Sequence, residues 1–157
     1  MYSRKKAIEY AFEWWNGRNP NFYNFDNLGG DCTNFVSQCL YFGGIGMSYF
    51  SPGWFYDELN FRSPSWTGVE EFYNFAVKNN HDVGVKAKIV DIKDVEIGDV
   101  VQLSQSQNRF HHTMLITKID GEKELKNIYI TCHTFDAKNR SLESYNFEKI
   151  RFLKILN

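Results

Sequence analysis

The sequence predicts an α+β fold, with N-terminal helices packed on a C-terminal antiparallel sheet. Three observations predict it. Apolar residues in the first half recur at three- to four-residue spacing, the signature of amphipathic helices. After Gly84 the pattern changes to short runs rich in Val and Ile, bounded by turn residues. These runs follow one another with no helical stretch between them, an order that favours helices stacked on an antiparallel sheet over alternating βα units.

Residues 3–16 read as a helix carrying Ala7, Ile8, Ala11, Phe12 and Trp15 on one stripe, with Ser3 as N-cap and a stop at Asn16-Gly17. Residues 18–31 read as a loop, from Asn19-Pro20 to Gly29-Gly30. Residues 32–42, CTNFVSQCLYF, form a second helix closed by Gly43-Gly44. Residues 46–67 mix Gly, Ser, Pro and aromatics without a period and are expected to be a long ordered loop. A third helix over 67–79 is expected to use Thr67 and Glu70 as a capping box and to bury Val69, Phe72, Phe75 and Ala76. Strands are expected at 86–91, 100–103, 110–118, 128–134 and 150–156. Gly98-Asp99 turns into the second of these, a polar tip at 104–109 precedes the third, and Asp120-Gly121 marks a hairpin-like connection.

The chain has 157 residues, which favours one domain over 1–157. Its 18 basic and 19 acidic residues leave a formal charge of −1, so no basic surplus points to nucleic acid. No segment reaches the roughly 18 apolar residues of a membrane helix, and the start shows no signal-peptide pattern. That leaves open a cytosolic protein, release by another route, or a piece of a longer exported parent. The aromatic content is high, with 14 Phe, 9 Tyr and 4 Trp. Trp54, Tyr56 and Trp66, in loop sequence, are candidates for a groove wall that packs on a peptide or sugar; the competing expectation is a plug under the long loop.

Cys32, Cys39 and Cys132 are an odd number without CxxC spacing, which argues against a disulfide scaffold or zinc ribbon. Cys39 lies seven residues after Cys32, about 10.5 Å along a helix, beyond disulfide reach, and is expected in the core. Cys32 opens its helix. There the unpaired N–H groups and the helix dipole favour negative charge. Such a cysteine can have a pKa lowered to roughly 3.5–7.5, and the same N–H groups can hold an oxyanion. His111 and His112 are adjacent on a strand, so only one can face a given side, and periodicity does not choose between them. His133 ends the next strand, while His81 lies in a polar loop. A cysteine at a helix start with histidines on downstream strands is the pattern of a thiol nucleophile with a base and an orienting group.

Residues 31–38, DCTNFVSQ, resemble the DCSGFV-type element of NlpC-type cell-wall peptidases. Ile97-Gly98-Asp99-Val100-Val101 is similar to their turn before the catalytic histidine, and His112-Thr113-Met114-Leu115-Ile116 to their His-starting strand. More closely, nearly the whole chain resembles the bacterial putative amidase domain family. The resemblance implies a papain-like fold and hydrolysis of amide bonds, commonly in cell-wall peptides. It implies Cys32 as nucleophile, His112 as base and His133 as orienting residue, with Asp136 the other candidate for that third role. No cofactor and no metal are expected. The expected partner is a peptide or peptidoglycan fragment, with no nucleic acid, no membrane insertion, and a monomeric state. Two other classes compete: a glycan- or peptide-binding module on the same fold, and a zinc site made of Cys32, His112 and His133.

Overall fold

The computed structural model describes residues 1–106 and 108–157. Gln107, in the expected polar tip, lies outside the described residues. Among the described residues, four α-helices, α1 (Arg4–Trp14), α2 (Cys32–Phe42), α3 (Pro64–Thr67) and α4 (Val69–Lys78), precede most of the sheet. The six-stranded sheet has the order β3 (Ala87–Val90), β8 (Lys149–Ile155), β4 (Val100–Ser104), β5 (His112–Ile119), β6 (Ile128–Cys132) and β7 (Ala137–Ser141). Every neighbouring pair is antiparallel. The α+β expectation and the antiparallel sheet are therefore met.

The helix boundaries follow local chemistry. Ser3 caps α1, its hydroxyl accepting from the Lys6 N–H at 3.3 Å. α2 starts at Cys32 and stops before Gly43, as its sequence pattern predicts. α4 departs from expectation. Thr67 belongs to the preceding short helix, Gly68 stands at the N-cap, and no side chain caps the helix. The Glu70 carboxylate instead accepts from the Phe110 N–H at 3.1 Å and pairs with Arg151; tertiary partners displace the local capping box. The expected long loop contains α3 and a small hairpin, β1 (Tyr56–Glu58) with β2 (Phe61–Arg62). The 137–141 strand, rich in polar residues (AKNRS), carries no apolar alternation and goes beyond the expected strands.

Both faces of the sheet are covered. On one face, Val100, Leu115 and Leu153 pack with Phe35, Val36 and Leu40 of α2 and Ala7 and Ala11 of α1. On the other, Val101, Met114, Ile116, Ile130 and Phe152 form a second core closed by Leu142 and the segment after β7. Two covered faces explain why all five residues of β4, VVQLS, are buried despite the polar Gln102 and Ser104. They also place any buried polar side chain of β4 under an obligation to find a partner.

Candidate active site

The residues around Cys32 are held from several directions. Gly30 precedes the helix with φ +95°, a backbone conformation that favours glycine. Asp31 is 1% exposed and does not cap α2. Its Oδ1 accepts from the Phe25 N–H and the Asn34 side-chain amide, both at 2.9 Å. Its Oδ2 lies 2.6 Å from His133 Nδ1 and 3.6 Å from Arg18 Nε. The Asp31 N–H donates to the Thr134 hydroxyl at 3.1 Å. Thr134 and Phe135 both adopt positive φ, 62° and 57°, a costly conformation for non-glycine residues. The end of β6 is thus bent to hold the junction that presents Cys32.

The sulfur itself lies beside the backbone of β5. Cys32 Sγ is 4.0 Å from the His111 carbonyl and 3.8 Å from the Thr33 hydroxyl, and the Thr113 N–H is directed at it. The His111 carbonyl and Thr113 amide flank His112. β6 ends at Cys132, one residue short of the position opposite Thr113, so the sulfur occupies the open edge of β5 where a further β6 residue would pair. A thiol at the edge of a sheet is not confined to one face. The question of which histidine shares a face with Cys32 therefore loses its force.

His112 lies on the second face with Met114, its ring 6.1 Å from that of Tyr145. Thr113, on the α2 side, bonds to Thr33 at 2.8 Å. Burial, reinforced by the neighbouring His111 and Arg140, pushes the His112 imidazole down to about 4. At neutral pH it is an uncharged ring. The His111 side chain is exposed, and its Nδ1 accepts from the Gln105 N–H at 3.4 Å.

Burial also raises the Cys32 thiol above its ordinary value, opposed by the Thr113 and Thr33 N–H groups and the Thr33 hydroxyl. The lowered thiol expected from the helix start is not found, because desolvation at a nearly closed site outweighs the N–H groups. Among the described residues, the hydrogen-bond partners of the thiol are the Thr33 hydroxyl and the His111 carbonyl rather than the His112 ring.

His133 requires a correction. It is 1% exposed and stacks on Phe35 at 3.8 Å between ring centroids. Nδ1 meets Asp31 and Nε2 meets the Trp14 carbonyl at 2.7 Å. Both ring nitrogens are engaged, so His133 does not hold the His112 ring. Strand alternation puts His133 on the α2 face and His112 on the other. The Asp136 carboxylate accepts from both Arg18 NH groups, at 2.9 and 3.1 Å.

The aromatic wall also requires correction. Trp54 and Trp66 are 0% exposed and Tyr56 is 7% exposed. The Trp54 indole N–H donates to Ser37 at 3.2 Å and that of Trp66 to Asn34 at 3.0 Å, while the Tyr56 hydroxyl accepts from the Tyr23 N–H at 2.8 Å. As core residues, Trp54 and Trp66 tie the long loop to α2, and Tyr56 ties it to the segment before α2. A cavity of about 490 Å³ lined by Phe50, Pro52, Pro64, Phe75 and His81 includes neither Cys32 nor His112; its size does not locate the chemistry. Among the described residues, no three His, Cys, Asp or Glu side chains are grouped to hold a metal ion.

Residues 1–156 match the family model described as "Putative amidase domain". The chain belongs to this putative amidase domain family. It is 32% identical over 146 residues to the uncharacterized protein YhbB of Bacillus subtilis (strain 168), covering 89% of this chain and 44% of that protein. The chain thus spans less than half the length of this curated relative. No solved structure matches.

Proposed function

We propose that this domain is a cysteine-dependent amide hydrolase in which Cys32 is the nucleophile and His112 the general base. The observation that carries the reading is the seat of the Cys32 sulfur, between the His111 carbonyl and the Thr113 amide that flank His112. The thiol proton passes to the uncharged His112 ring, directly or through one water, since catalytic contacts in unliganded sites are often long. The sulfur attacks the amide carbonyl, and the developing oxyanion is held by N–H groups at the start of α2. His112 returns the proton to the leaving nitrogen, the C–N bond breaks, and an S-acyl enzyme remains. Water, deprotonated by His112, then releases the acid and restores the thiol. The papain-like arrangement and a cell-wall peptide substrate rest on the resemblance to NlpC-type peptidases. The burial of Trp54, Tyr56 and Trp66 removes the feature on which the binding-module reading depended.

The test is a digest of bacterial peptidoglycan and of model peptide amides, read by mass spectrometry. The wild type is expected to release new amine and carboxylate termini, and Cys32→Ser is expected to lose that activity with an unchanged circular dichroism spectrum. Full activity in Cys32→Ser, or its loss in Cys39→Ser with Cys32→Ser active, overturns the assignment.

A further inference from the structure

Behind Cys32 lies a row of buried polar side chains that the mechanism above does not use. Thr113, Gln102 and Arg151 are side-by-side neighbours on β5, β4 and β8, paired in register Gln102↔Thr113 and Gln102↔Arg151. Thr33, Thr113 and Gln102 are each 0% exposed. The distances form a continuous chain: Arg151 Nε to Gln102 Oε1 is 2.8 Å, Gln102 Nε2 to Thr113 Oγ1 is 3.1 Å, and Thr113 Oγ1 to Thr33 Oγ1 is 2.8 Å. Thr33 Oγ1 then lies 3.8 Å from Cys32 Sγ.

The chemistry of the groups fixes its direction. A guanidinium has only donors, so the Gln102 oxygen must face Arg151. The Gln102 nitrogen then donates to the Val69 carbonyl at 3.0 Å and to Thr113. Thr113 therefore accepts, and the one acceptor left for its own hydrogen among the described residues is Thr33. Thr33 in turn has one hydrogen and, among the described residues, one remaining side-chain partner, the Cys32 sulfur. A chain in which every link polarises the next strengthens its last bond. Its root is a cation clamped between the Tyr73 and Phe110 rings, 3.7 and 3.9 Å away, and braced by Glu70.

We propose that Arg151, Gln102, Thr113 and Thr33 form a one-way hydrogen-bond chain that presents a donor to Cys32 Sγ and stabilises its thiolate. In this arrangement the negative charge that forms on sulfur when the thiol proton passes to the His112 ring is supported from the sheet. Thr33, Thr113 and Gln102 are then positioning residues for the nucleophile. The other titratable groups around the sulfur's seat are Asp31 just before α2, His111 just before β5, His112 at the start of β5, and Cys132 at the end of β6. The inference rests on the reading of Cys32 as the reactive thiol, but its test does not use amide hydrolysis.

The experiment is the pH dependence of iodoacetamide alkylation, with the modified cysteine identified by peptide mapping. A hydrogen bond to a charged group is worth enough that Thr33→Val is expected to raise the alkylation midpoint by about one pH unit, lowering the thiolate fraction at neutral pH about tenfold. Thr113→Val is expected to raise it in the same direction by a smaller amount, while Thr33→Ser and Thr113→Ser retain the wild-type midpoint. An unchanged midpoint in Thr33→Val overturns the proposal, as does an equal rise in Thr33→Val and Thr33→Ser, which would signal packing. A rise in Thr33→Val with none in Thr113→Val also overturns the chain. Should Thr33→Val fail to fold, the Thr113→Val and Thr113→Ser pair decides alone. Loss of hydrolysis in Cys32→Ser bears on the amidase reading; alkylation midpoints bear on the chain, so the two fail separately.

Discussion

Two Gly-Asp dipeptides in this chain, Gly30-Asp31 and Gly98-Asp99, look alike and are built alike up to a point. Both glycines have positive φ, 95° and 84°, and both aspartates are buried, at 1% and 0% exposure. A nearby N-terminal arginine reaches each carboxylate: Arg18 approaches Asp31 at 3.6 Å, and Arg4 meets Asp99 at 2.6 Å. They differ in what else they hold. Asp99 accepts from the Glu96 and Ile155 N–H groups at 2.9 and 3.0 Å, with Lys154 at 3.8 Å. It ties α1, the turn and the last strand together through backbone donors and permanent cations. Asp31 is held by a side-chain amide, an imidazole and one backbone N–H, and the residue that follows it is the candidate nucleophile. A buried carboxylate staples the fold in one place; in the other the same group fixes the angle at which a helix enters its first turn.

The largest effect is expected from Asp99→Ala. It leaves Arg4 and two N–H groups without their buried acceptor, a loss of about 3–5 kcal/mol, measured by urea denaturation. The alkylation midpoint of Cys32 in the folded fraction is expected to stay at its wild-type value. A shifted midpoint with little loss of stability would mean that the two sites are not separable.

Asp31→Asn is expected to cost less stability, about 1–3 kcal/mol, because an amide keeps the shape and one acceptor oxygen. Hydrolysis should fall at least about tenfold beyond what lost folding explains, as the geometry that presents Cys32 loosens. His133→Ala should act in the same way, since His133 is the closest partner of Asp31. Wild-type turnover in both, assayed under conditions where they are fully folded, would detach the junction from the chemistry.

Acid separates the two regions in another way. The His112 imidazole moves from an ordinary value of 6.5 to about 4 on folding. A depressed base binds fewer protons in the folded state. Stability is therefore full above about 6.5 and falls as pH drops from 6.5 to 4, by roughly 1–2 kcal/mol after allowance for solvent screening. The same ring as general base places the acid limb of hydrolysis near pH 4. His112→Gln is expected to flatten the stability profile over that window, and Asp99→Ala to leave its slope in place. An acid limb at the ordinary imidazole value in the wild type would contradict the buried, uncharged ring.

The smallest effect concerns the aromatics. Trp66→Phe removes the indole donor of Asn34, and is expected to lower stability by about 1 kcal/mol with KM unchanged. A raised KM with unchanged stability would return Trp66 to a substrate-binding role.

Much of the helical half is legible in the order of residues because it depends on local pattern. The 3.6-residue periodicity of Ala7–Phe12 and of Phe35–Leu40, and glycine after α2, specify helices through short-range sterics and burial of one stripe. The turn into β4 is local in the same sense, since a glycine with positive φ reverses the chain. Cys32 at a helix start is readable from the Gly-Gly-Asp loop before it. What the residues alone do not supply is the partner of each polar group. Glu70 satisfies a capping-box pattern and commits its carboxylate to Arg151 and the Phe110 N–H. Gln102 reads as an ordinary strand residue until both faces of the sheet are covered, when its amide must be paired. His133 reads as a base-orienting residue, and packing against Phe35 turns it toward Asp31.

Residue order is enough to give the α+β class, the bounds of α2, the place of Cys32 at the helix start and the alternation that separates His111 from His112. Those follow from interactions between residues a few positions apart, which the order specifies directly. Long-range packing had to decide that the sulfur sits at the open edge of β5, that His133 holds Asp31, that Trp54, Tyr56 and Trp66 are core, and that the thiol is raised by burial. Each of these depends on which distant group supplies a hydrogen bond or excludes water. That is settled by the packing of α2 against a sheet closed on both faces.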